Sequence, residues 1–280
     1  MNLEARIFEN LTLDESHRRA CKTLEEEAIK PEQFEDLYGP QGIKRDERYV
    51  AIMEKKFQEP TDTKQEELNK LATIFEAIIH INAELNEWFG PDATTIKTSR
   101  YDDIKNGVDS VAEFRENEAS ASYLALAIDV TFDHDTERKF ERIKSEIKKG
   151  ELAKIKYFYS EHMGIRGELT KVPRVVIGAD IQTVKNLSEL WMEKNNKALM
   201  RHQIQFQILE EILLQLETFA EFVKNNKQPE IAAVYEKTLS VVERIYEEKK
   251  KTIKDSGERD DVFYTIKSTL DGFNRTSKES

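Results

Sequence analysis

The chain reads as a mixed α/β (α+β) protein. A central mixed β-sheet with the order αβββαβ is flanked by helices, preceded by an N-terminal helical segment and followed by a C-terminal α-helical bundle or hairpin. Three observations predict this. Residues 62–89 carry one broad apolar stripe at helical spacing: Leu68, Leu71, Ala72, Phe75, Ile78, Ile79, Leu85 and Phe89. Residues 107–114 and 122–132 have strand character, and the second run alternates strictly. Leu124, Leu126, Ile128, Val130 and Phe132 take one face, while Tyr123, Ala125, Ala127, Asp129 and Thr131 take the other. From Ile181 onward apolar residues recur at helical spacing almost to the end. The chain therefore divides into a helical segment (1–60), an α/β core (61–180), a helical region (181–273) and a disordered tail (274–280).

Residues 3–29 read as one or two helices, with Thr12 and Glu15 resembling a capping box and Pro31 as the stop. Residues 36–49, with two Gly and a Pro, are expected to form a loop feeding a short helix through Phe57. Lys44, Arg45 and Arg48 there suit a surface turn better than a phosphate site. The 62–89 helix is capped by Thr61 or Asp62 and stopped by Gly90-Pro91. Residues 94–104 predict an edge strand in which Asp102 and Asp103 point to opposite sides. Asn106-Gly107 signals a tight turn, with Asp103 and Asp109 at its two lips. A second turn is expected near residues 118–119. Residues 135–149 form a helix with Phe140, Ile143 and Ile147 facing inward and Gly150 as its end. Strands follow at 153–161 and within 167–180, giving a βαβ-like crossover into the mixed sheet. Four helices complete the chain, one running through residues 198–226 and the next opening at Pro229.

The net charge of −11 disfavours a protein that coats nucleic acid through a broad basic surface. It leaves room for a local site: from Phe132 to Arg174, eleven Lys and Arg stand against eight Asp and Glu. No apolar run approaches the ~18 residues needed to span a bilayer, so no membrane role is expected. The opening residues lack the basic-then-apolar order of a signal peptide, and a cytoplasmic location follows. The lone Cys21 has no partner by spacing and reads as a helix thiol; His134 and His202 read as structural.

The chemistry points to one pair of acids. In an antiparallel hairpin of the two strand runs, Asp109 lies opposite or diagonal to Asp129 on the same face. Two carboxylates so placed repel unless one keeps its proton or a divalent cation lies between them. Oxygen-only ligation suits Mg²⁺ or Mn²⁺. Asp103 is preferred over Asp102 as a third ligand, and Glu76 or Glu84 approaches from the helix side.

The element order over roughly residues 62–178, with Asp109 opening the second strand and Asp129 followed two residues later by Thr131, resembles the PD-(D/E)XK nuclease superfamily, whose core is restriction-endonuclease-like. The resemblance implies that Asp109 and Asp129 hold one or two divalent metals and that the residue two places on positions the attacking water. That residue is a Lys in the superfamily and Thr131 here, so Lys144 or Lys156 is the substitute to look for. The implied activity is metal-dependent hydrolysis of phosphodiester bonds in DNA or RNA, as an endonuclease or exonuclease. The alternative is a catalytically silent nuclease-like domain serving as a protein or nucleic-acid interaction module. Its C-terminal helices would then dock a protein partner or a second copy. A third reading, with structural acids, is a helical adaptor.

Overall fold

A computed structural model describes residues 3–57, 63–130 and 134–273. The fold is mixed α/β, as the sequence predicts. Helix α1 (Leu3–Glu27) is a single helix, so Thr12 lies inside it and not at a cap. Pro31 opens a short 3-10 turn (Pro31–Phe34). The expected loop at 36–49 is instead helix α2 (Glu35–Phe57), bent at Gly39, whose φ of 67° interrupts the helical run. Pro40 begins the second leg, where its missing N–H costs nothing. Helix α3 (Thr63–Leu85) follows, and its expected caps Thr61 and Asp62 lie outside the described residues.

Strands β1 (Ala93–Lys97), β2 (Ser110–Asn117) and β3 (Ser120–Val130) form an antiparallel meander, with the β2–β3 turn at 118–119 as expected. Helix α4 (His134–Lys148) crosses over, and the strand returning parallel to β3 is β6 (Arg174–Ala179). The sheet order is thus β1-β2-β3-β6. Strands β4 (Ala153–Ser160) and β5 (Ile165–Val172) pair only with each other. This corrects the expectation that residues 153–161 enter the central sheet. Every residue of β6 is buried although it closes one edge of the sheet, whereas β5 is largely exposed and serves as an outer hairpin arm.

Alternation divides the sheet between two cores. Ala112, Phe114, Leu124 and Leu126 join the large core shared with α3 and the C-terminal helices, while Val111 and Ala125 pack under the β4–β5 hairpin with Ile155 and Phe158. The C-terminal helices are α5 (Ile181–Met192), α6 (Asn196–Met200), α7 (Ile204–Asn225), α8 (Pro229–Thr252) and α9 (Asp261–Phe273). The single helix expected over 198–226 is broken at Arg201–Gln203. The break lets α7 run along the outer edge of β6. There Gln215 accepts from Val176 N at 2.8 Å and donates to Val176 O at 2.6 Å. Glu211 accepts from Gly178 N at 2.9 Å, and Gln207 donates to Gly178 O at 3.2 Å. Spaced four apart on one helix face, these side chains do for the strand edge what another strand would do.

Candidate active site

The site forms where β2 ends and β3 runs on. The first rung of β2 pairs Ser110 with Leu126, leaving residues 127–130 of β3 without a partner on that side. Asp109, one residue before β2, extends the ladder with its side chain: Oδ2 accepts from Ile128 N at 2.7 Å. Its carbonyl is fixed as well, receiving Lys97 Nζ at 2.8 Å and Thr98 Oγ1 at 3.0 Å. The carboxyl group is thus held in a cleft between two diverging strands.

Its surroundings are crowded with charge. Glu76 reaches in from α3 and pairs with Lys97, Oε1 to Nζ 2.7 Å. Asp103 is held by Arg100 at 2.6 Å, and Arg100 is held in turn by Glu54 at 2.9 Å. Burial, reinforced by Asp103 and Glu76, pushes the Asp109 carboxyl up to about 7, against the pull of Lys139 and Lys97. Burial also raises Glu76, although Lys97 opposes it. For Lys97 burial works against the charge, but Glu76, Asp103 and Asp109 outweigh it and hold the ammonium protonated. Across β3, Lys139 of α4 donates to Ile128 O at 3.3 Å. The peptide group before Ile128 and the one after it are therefore gripped by an acid and a base of the same cluster.

The predicted residues separate clearly. Asp109, Asp103 and Glu76 come together electrostatically. Asp129 falls on β3 opposite Gly178, in the register that puts it diagonal to Asp109, and its side chain lies outside the described residues, as does Thr131. Asp102 and Asp103 are not in a strand; they open a wide π-type turn (Asp102–Asn106) closed by Gly107 at φ 63°. That geometry sends Asp102 the other way, to accept from Lys156 N at 2.7 Å, Tyr157 N at 3.0 Å and Ser99 Oγ at 2.7 Å. Asp102 is a clamp between the turn and β4. Glu84 lines a groove of about 580 Å³ with His80, Glu113 and His162, which Lys97 borders from the cleft side.

Both lysine candidates are engaged elsewhere. Lys144 Nζ lies over the rings of Phe273 and Phe222, at 5.0 and 5.8 Å. Lys156 bonds Asp46 and sits among the rings of Tyr38, Tyr157 and Tyr101, within 5.3 Å of each centroid. The cations that act on Asp109 are Lys139 and Lys97, which the motif reasoning missed. A signal existed for each. Lys97 shares the buried parity of β1 with Ala93 and Thr95. Lys139 stands one helical row before the inward residues Ile143 and Ile147.

Among the described residues, no set of three or more His, Cys, Asp and Glu side chains is already gathered to hold a metal ion. No helix among them is long and apolar enough to cross a membrane. The chain matches no family model, no curated protein and no solved structure.

Proposed function

We propose that the chain is a divalent-metal-dependent phosphodiesterase acting on DNA or RNA, with a restriction-endonuclease-like core. The observation that carries this reading is Asp109: a buried carboxyl, anchored where two strands part, whose ionisation is opposed by Asp103 and Glu76. A divalent cation relieves that repulsion, and the oxygen-only donor set of Asp109, Asp103 and Asp129 suits Mg²⁺ or Mn²⁺. When bound, such an ion supplies Lewis-acid stabilisation of the phosphoryl oxygens and a more acidic water. Lys139 takes the part assigned to the missing strand lysine, balancing charge beside the cleft and orienting the incoming water. Lys97 neutralises Glu76 and holds the Asp109 backbone in place. The substitution at Thr131 favours a second reading, a silent nuclease-like module binding nucleic acid or a protein.

Thermal melting with and without Mn²⁺ tests the first reading, because a ligand that binds the folded form raises the melting temperature. The wild type is expected to gain several degrees and to cleave single- or double-stranded substrates. Asp109→Asn and Asp129→Asn are expected to lose both effects. A wild type indifferent to Mg²⁺ and Mn²⁺ ends the hydrolase reading. A metal response without cleavage of any substrate leaves the silent module.

A further inference from the structure

Two guanidinium groups meet at the Gly107 turn, two residues before Asp109. Arg142 comes from α4, and Arg174 opens β6. A Cβ placed on Gly107 would lie 2.9 Å from Arg142 Nη1 and 3.8 Å from Arg174 Nη1, so both cations crowd the bare side of this glycine. One carboxylate serves the two of them: Glu146 Oε1 lies 3.1 Å from Arg142 Nε and 3.5 Å from Arg174 Nη2. Arg142 also donates to Lys105 O at 3.3 Å, closing the end of the π-type turn. Arg174 is 4% exposed, and its Nε has no hydrogen-bond partner among the described residues. Burial draws its pKa down to about 10, with Glu146, and more weakly Tyr235 and Asp109, opposing the fall and Arg142 deepening it. The pair is thus short of negative charge, and one of its forks is incompletely bonded.

We propose that Arg142 and Arg174 form a phosphate-binding subsite at the Gly107 turn, which grips a phosphate group of a nucleic-acid strand beside the carboxylate cleft. The proposal rests on the phosphodiesterase reading and names how that substrate is held. A guanidinium presents planar paired donors that match phosphate oxygens, and a phosphate adds the charge that Glu146 alone does not supply. The half-exposed Arg142 is the outer contact. The buried Arg174 backs it from a low-dielectric environment, where its field is less screened. Gly107 lets the two guanidinium groups pack close to the turn because it has no side chain. The shared chemistry is a phosphate, contributed either by a strand terminus or by the internal backbone.

The test uses the full chain in EDTA, so that no metal contributes, and a fluorescent single-stranded oligonucleotide carrying a 5′-phosphate, a 3′-phosphate or neither. Arg142→Gln is half-exposed and should fold; Gly107→Ala is the second variant, pressing a methyl group against Arg142. Each is expected to weaken binding about tenfold, and Arg142→Gln should reduce the salt slope of log K by about one. A loss confined to the 5′- or 3′-phosphorylated strand assigns the contact to that terminus, and an equal loss on all three assigns it to the backbone; either supports the subsite. A wild type that binds none of the strands overturns the proposal. So do variants with wild-type affinity and slope, which would leave Arg142, Glu146 and Arg174 as an ion-pair network joining α4 to β6. Metal-induced melting shifts and cleavage are read separately on the wild type. Their absence beside retained phosphate binding removes the hydrolase reading and leaves the subsite standing.

Discussion

Asp109 is the residue on which the site's pH behaviour turns. Its folded pKa of about 7 stands well above the ordinary 3.8 for an aspartate. Below the ordinary value both folded and unfolded chains hold the proton, and the buried carboxyl is tolerated. As pH rises from there through 7, the unfolded chain ionises first, so the contribution of Asp109 to stability is lost across that window. Asn at this position still offers an oxygen to Ile128 N and cannot ionise. In EDTA, Asp109→Asn is therefore expected to melt at nearly the wild-type temperature at about pH 3 and above it at about pH 8, the gap widening between. Parallel melting curves for the two proteins would remove Asp109 as the source. Strand alternation in the sequence is what singled out Asp109 and Asp129, and the register keeps the two backbone positions diagonal. It could not reach Lys97 or Lys139, because their approach depends on how α3 and α4 lie over the sheet.

At the scale of elements, α7 carries the least expected feature. Gln207, Glu211 and Gln215 stand on its buried side and bond the backbone of β6. Burial raises the Glu211 carboxyl well above its ordinary value, against the Gly178 N–H and Gln207 bonds that favour its charged form. Gln215→Leu leaves both Val176 N and Val176 O unpaired, at a cost of about 3 kcal/mol measured by urea unfolding. Glu211→Gln serves as the contrast. It keeps a neutral acceptor for Gly178 N and is expected to gain stability relative to wild type as pH rises. A Gln215→Leu protein as stable as wild type would mean that water satisfies the strand edge. The spacing of these three residues is visible in the sequence as a polar row on an apolar helix. Its partner is not, because the sequence does not say which strand lies at the edge of the sheet. The same limit explains β5. Its weak, exposed pattern kept it from being read as a strand of its own, and nothing local tells that it pairs with β4 outside the central sheet.

Across the whole molecule, one apolar core runs from α1 and α3 through the sheet to α8 and α9. A core shared this widely predicts a single cooperative transition, with far-ultraviolet circular dichroism and tryptophan fluorescence changing together. Trp88, after α3, and Trp191, in α5, are both buried and serve as the reporters. Two separated transitions would show that the C-terminal helices unfold as a unit of their own. The order αβββαβ was legible because each of its elements has a strong period and clear stops. Residues 36–49 were misread because Gly and Pro, usually breakers, here mark a bend between two helical legs.

Asp102 and Asp103 are neighbours with opposite allegiances. One grips the backbone of the β4 arm, and the other bears on the carboxylate cleft. The two sit at the base of one turn like the ends of a short lever. A displacement of the outer hairpin, by whatever comes to rest against it, reaches the carboxylate cleft through a single peptide bond.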